Sequence, residues 1–249
     1  MPLFGQLEVE PIAGRLARLK DLDAEAWTLP RAEILQLSLE VGDDAIALLP
    51  RAMHPAVPPY ATLLVTAYPE SPVGPFNLAQ LRLMGRAGAH PRGYVLAAFA
   101  STPAAAGALR ERWGFPASLG AVTLRRYHDQ IFATVRRDGE TILDLSLVDP
   151  EPISPADVQY IHSVTLVRLA DGERVTSQLV QVDPHYTVHK AERGRPRVAR
   201  LAPEAWNAPT LELLHPISAS LSTCDTDLPQ IRFVMDADLP VVQGTRKVR

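Results

Sequence analysis

Residues 130–148 read QIFATVRRDGETILDLSLV. Apolar and polar side chains alternate on both sides of Asp138-Gly139, the pattern of two half-buried strands. Asp-Gly readily supplies the positive φ of a tight connection, so the stretch reads as a β-hairpin. The same signal recurs in residues 32–41 (AEILQLSLEV), 60–69, 93–100, 164–169 and 174–182, with a second hairpin turn at residues 170–173 (ADGE). A last strand is expected over residues 230–240.

Helices are fewer. Residues 101–114 (STPAAAGALRERWG) carry a Ser/Thr cap, Pro103 in the first turn, an Ala-rich body and Gly114 as terminator. Residues 43–50 pair two acids with a Pro stop, which predicts a short capped helix. Residues 13–27 supply a candidate third. The 23 prolines are spread through the connections and no composition break marks a linker. Antiparallel hairpins with a few inserted helices make an α+β chain, mostly β, forming a single domain over residues 1–249.

Composition excludes several functions. The net charge is −3, which gives no electrostatic case for nucleic acid or an anionic membrane as partner. No run approaches the roughly 20 apolar residues of a membrane span, and the N-terminus lacks a signal-peptide core. A lone Cys224 excludes an internal disulfide and any Cys-based metal cluster. These features predict a cytoplasmic protein.

Candidate reactive groups elsewhere have plain readings. His185 and His189 are four apart, but the β-branched residues around them predict a strand, where they would stand roughly 13 Å apart. Tyr127, His128 and Asp129 are consecutive and cannot converge on one substrate from a strand, so they read as a solvated turn. The basic run at residues 192–200 reads as another turn, and Cys224 as an incidental thiol. No phosphate loop, zinc-protease motif or nucleophile elbow is present.

Three segments together resemble the acetoacetate decarboxylase family. They are Arg31 followed by LLPRAMHPAVPP (48–59), GPFNLAQL (74–81), and AGALRERWGFPASL (106–119). The tail at residues 208–240 is similar to that family's closing strands. The resemblance implies a large curved antiparallel sheet forming a cone-like barrel around an internal cavity, with few peripheral helices and a homo-oligomeric assembly. It also implies a lysine after the corner proline that forms a Schiff base with a β-keto acid. The family is a known instance of a lysine activated by a cationic neighbour.

Carried across residue by residue, Arg31 is present, but the lysine pair falls on Ala117 and Ser118 and the cavity glutamate on Leu78. Neither Ala nor Ser can form an imine. Lys20, Lys190 and Lys247 are the only lysines, and none is a natural replacement. The expectation is an apolar cavity that binds an acidic, oxo-acid-like or polyketide-like small molecule without a cofactor or metal. Arg31 would anchor a planar anion, unless it serves a structural ion pair. Leu78, Ala117 and Ser118 would line the site, with Ser118 donating a hydrogen bond or capping a turn. Trp113 and Phe115 would either line it or belong to the core. Three functions follow: cyclisation, dehydration or isomerisation by positioning and proton transfer; a catalytically inactive binding protein; or a decarboxylase working through another lysine.

Overall fold

The structure is a computed structural model and describes residues 3–171 and 174–248. Sixteen strands run in chain order: β1 (Ala17–Leu19), β2 (Trp27–Val41), β3 (His54–Pro55), β4 (Tyr60–Tyr68), β5 (Phe76–Ala87), β6 (His90–Ala100), β7 (Ala117–Leu119) and β8 (Ala121–Arg126). They continue as β9 (Gln130–Arg137), β10 (Glu140–Ile153), β11 (Ser163–Asp171), β12 (Arg174–Val182), β13 (His185–Leu201), β14 (Leu213–Leu228), β15 (Phe233–Asp236) and β16 (Thr245–Lys247). Helix α1 spans Pro103–Trp113 and the one-turn α2 spans Val241–Gly244.

All strands join one curved sheet whose main path is β16-β15-β12-β11-β6-β5-β4-β2-β14-β13-β10-β9-β8. Most pairs are antiparallel, as expected, but β1·β11, β6·β11 and β6·β7 are parallel. The sheet does not close into a barrel. Its β8 end packs against β4, β5 and β6. The seam between β6 and β11 is short, with only Ser163↔Gly93 and Val164↔Tyr94 in register.

Register explains the two cores. Side chains alternate across a strand, and paired residues project to the same side. Odd-numbered residues of β2, β4 and β5, such as Leu35, Leu37, Leu63, Val65 and Leu81, share one face. They pack with Ile131, Leu143 and Leu145 as the sheet folds over. The even-numbered face carries Ala32, Ile34, Leu64, Leu78 and Cys224, and packs with Leu109 and Trp113 of α1 and Val167 of β11.

The hairpin at Asp138-Gly139 forms as read, with φ values of 51° and 84°. The helix at residues 101–114 is α1. Thr102 Oγ1 caps it by accepting the Ala105 N–H at 3.2 Å, and Gly114 ends it at φ 67°. The turn at residues 172–173 lies outside the described residues. Two expectations fail. Residues 13–27 form a 3-10 turn and then β1, because Ala17 and Leu19 alternate with exposed Arg18 and pair with β11. The basic run at residues 192–200 lies within β13 rather than in a turn, since Arg193, Arg195 and Arg197 alternate with less exposed residues between ladder bonds to β10. Residues 43–48 are helical but 3-10.

Candidate functional site

The even face is organised in cross-strand rows. One runs Ser220–Gln36–Leu64–Gln80–Ala98–Ala117 across β14, β2, β4, β5, β6 and β7. The adjacent row runs Ser222–Ile34–Thr66–Leu78–Ala100. On the far side of Gln80 the next row runs Ser218–Ser38–Thr62–Arg82. Ala117 therefore shares a face with Gln80, two strand spacings or roughly 9.5 Å away.

Arg82 is the unusual member. It is only 5% exposed, and its strand neighbours are apolar. Its Nε donates to Gln80 Oε1 at 2.7 Å, and Nη2 donates to the same oxygen. Nη1 donates to the Ile161 carbonyl at 3.2 Å. The Tyr186 phenol stands close enough to favour its charged form. Among the described residues no carboxylate lies within ion-pairing distance of it. Burial pulls the guanidinium below its ordinary value, while Tyr186 and Tyr68 oppose the shift. Gly93 makes room for it, because a Cβ there would stand 3.1 Å from Arg82 Cδ.

Three tyrosines stand behind this cation. Tyr186 and Tyr160 stack with ring centroids 4.4 Å apart, and the Tyr160 hydroxyl bonds Ser222 Oγ. Desolvation raises the pKa of Tyr68, Tyr160 and Tyr186. All three remain neutral hydrogen-bonding groups at ordinary pH.

The exposed edge of Arg82 borders a cavity of about 240 Å³ on the even face. Its floor is largely hydroxyl and amide groups, from Gln36, Ser38, Thr62, Ser218 and Ser220. Residues 153–161, between β10 and β11, form the opposite wall. That segment is tied down by Gln36 Nε2 donating to the Gln159 carbonyl at 3.3 Å and by the Arg82 bond to Ile161. The chamber mixes these polar groups with apolar surface from Leu64, Met84, Ile153 and Val158, where a mainly apolar lining was expected. The small and apolar replacements at 78 and 117 leave no void of their own, since the second core fills around them.

The residues singled out from sequence fall in three places. Leu78, Trp113, Phe115 and Ala117 are buried together in the even-face core. Trp113 donates from Nε1 to the Pro229 carbonyl at 2.8 Å and meets Trp27 edge-on. Ser118 is half-buried and lines a surface depression with Gly120 and Arg136. Arg31 is exposed on a bulge at φ 53°, where its backbone N–H donates to Asp225 Oδ1 at 2.9 Å. Its side chain lines a separate groove with Glu33 and Glu70. The structure does not bring Arg31 and Ala117 together. Lys20, Lys190 and Lys247 are all exposed. His189 pairs with Asp225 at 2.9 Å on the outer side of β13.

The acetoacetate decarboxylase family model matches residues 20–237. The chain belongs to the acetoacetate decarboxylase family. No curated protein sequence matches it significantly. Among solved structures it is similar to the acetoacetate decarboxylase of Legionella pneumophila subsp. pneumophila, with 21% identity over 84% of this chain and 86% of that one at a TM-score of 0.75. It is also similar to an acetoacetate decarboxylase-like enzyme from Sphingomonas wittichii RW1, with 18% identity, coverage of 85% and 92%, and a TM-score of 0.66. A third similar structure is the enduracididine biosynthesis enzyme MppR complexed with pyruvate, with 13% identity, coverage of 83% and 88%, and a TM-score of 0.65. At these identities the structural likeness establishes the fold. No helix among the described residues is long and apolar enough to cross a membrane.

Sequence reasoning missed Arg82. Residues 74–81 were read as a family loop, whereas residues 76–87 form the central strand β5. An arginine inside the apolar run LAQLRLMG was the available signal, because a lone charge is seldom buried without a purpose.

Proposed function

We propose that this family member holds a small anionic, oxo-acid-like molecule in the even-face cavity without forming an imine. The observation that carries the reading is Arg82, a buried guanidinium that borders the cavity and has no carboxylate partner among the described residues. Such a cation is costly to bury, and an incoming carboxylate supplies the missing counter-charge and accepts from the N–H that still faces the cavity. The hydroxyl floor offers donors to the remaining ligand oxygens. The pyruvate bound by MppR supports an oxo acid as ligand class.

Non-covalent chemistry follows from the residues at the family's lysine and glutamate places. Ala117 and Leu78 contribute apolar packing, and no lysine is buried on this face. A reaction on this site proceeds by positioning the substrate and moving a proton, as in isomerisation, cyclisation or dehydration. Ser118 and Arg31 would then act outside the chamber, with Trp113 and Phe115 supporting its apolar side. A homo-oligomer in the cytoplasm is the setting proposed for it.

The test is calorimetric titration with pyruvate and acetoacetate, alongside borohydride treatment and intact-mass measurement. Binding that Arg82→Ala abolishes and Arg31→Ala does not, with no mass adduct, is the expected result. A borohydride-trapped lysine adduct overturns the non-covalent reading. Binding that survives Arg82→Ala overturns the anchor.

A further inference from the structure

A second guanidinium borders the same cavity. Arg193 lies on β13, opposite Ser220 of β14, and Ser220 belongs to the row that crosses to Gln80. Arg193 and Arg82 thus stand at opposite sides of a five-strand span, β13-β14-β2-β4-β5, with the hydroxyl floor between them. Four strand spacings measure roughly 19 Å along the sheet, and the buried Arg82 and the exposed Arg193 border one cavity of about 240 Å³ within that span.

Arg193 has a carboxylate within easy reach and does not use it. Glu151 is its cross-strand partner on β10, yet the two form no ion pair. Arg193 lines the cavity and Glu151 does not. The neighbouring cations behave differently: Arg195 pairs with Asp149, while Lys190 and Arg126 both pair with Glu192. The only acid in the cavity lining is Asp157, on the exposed 3-10 turn that packs against β13, and it too forms no ion pair with Arg193. The chamber therefore holds two positive groups against one negative one.

We infer that the ligand carries two anionic groups, one seated on Arg82 and the other on Arg193, with its oxygen-bearing middle over the serine and threonine floor. The chemical class is a short dicarboxylic oxo acid. This inference rests on the reading of the Arg82 cavity as an oxo-acid site and adds the second subsite to it.

The experiment measures the affinity ratio of 2-oxoglutarate to pyruvate by calorimetry at low salt. It compares the unaltered protein with Arg193→Gln and with Arg197→Gln, a control that removes an exposed charge from the same strand but outside the cavity. The dianion is expected to bind about tenfold more tightly, as one added charge-assisted contact provides. Arg193→Gln should bring the ratio to about one, and Arg197→Gln should leave it in place. Thermal melting of each variant verifies that it folds. Pyruvate binding with no advantage for 2-oxoglutarate, or an advantage that persists in Arg193→Gln, overturns the second subsite alone. Failure of both acids to bind overturns the oxo-acid reading on which it rests.

Discussion

Gln80 Oε1 accepts the Nε–H of Arg82 at 2.7 Å and a second bond from the same guanidinium. Two residues apart on β5, they share a face, so the amide holds the cation's inner edge while its outer edge borders the cavity. Gln80→Leu strips two buried donors of their acceptor and should cost about 1–3 kcal/mol in urea unfolding. Gln80→Glu should preserve or raise stability while abolishing pyruvate binding, because it supplies the counter-charge the ligand would bring. Undiminished binding in Gln80→Glu would remove Arg82 from the site.

Gly114 ends α1 at φ 67°, and a Cβ there would stand 2.0 Å from Val167 Cγ1 and 3.3 Å from Thr165 Oγ1. The corner is pinned at the same place, since Thr165 Oγ1 donates to the Trp113 carbonyl at 2.7 Å. Gly114→Ala combines backbone strain with a clash and should destabilise by about 3 kcal/mol or more. Adding Val167→Ala should recover part of that loss, the part due to crowding. No recovery would mean that backbone conformation alone sets the cost.

Glu192 is buried against the partly exposed Arg126, whose Nη2 donates to Oε1 at 2.8 Å. These bonds hold its carboxyl below the ordinary value of 4.5, against the opposing effect of burial. The folded pKa lies below the unfolded one. The pairing therefore stabilises fully above that ordinary value and is lost as pH falls through the folded value. Glu192→Gln should lower stability near neutrality by roughly 1 kcal/mol, after allowance for solvent screening at Arg126. It should also flatten the decline in melting temperature below about pH 4.5. An unchanged acid slope would show that other carboxylates govern acid unfolding.

Asp157 stands as the acidic side chain in the lining of the cavity that holds Arg82. Asp157→Asn should tighten pyruvate binding by about two- to threefold at low ionic strength, and the gain should shrink as salt is added. Titrations at two salt concentrations check this. A variant that binds more weakly would indicate that Asp157 hydrogen-bonds the ligand instead of repelling it.

The hairpin, α1 with both caps and most strands were legible because each rests on local rules: alternation, an Asp-Gly turn, a Thr cap and a terminal Gly. Residues 13–27 misled because Leu and Arg at mixed spacing suit a helix, while the pairing of Ala17–Leu19 with β11 is a contact about 150 residues away in the chain. The site was harder to read than the fold. Family motifs directed attention to Arg31, Leu78 and Ala117, whereas Arg82 stands four residues beyond Leu78 on the same strand. The face of β5 that Arg82 occupies is decided by register with β4 and β6, and Arg193 joins it only through the five-strand span. Neither fact has a local signature.

The parity of the central strands has a further consequence. On β2, β4, β5 and β14 one set of positions secures the chain through Leu35, Leu63, Leu81 and Leu221, and members of the interleaved set, such as Gln36, Thr62, Arg82 and Ser220, line the chamber. An exchange among the cavity-lining members of the second set, away from its core residues Ile34 and Leu78, leaves the first untouched. A strand divided in this way lets the lining be rewritten position by position while its other half keeps the same neighbours.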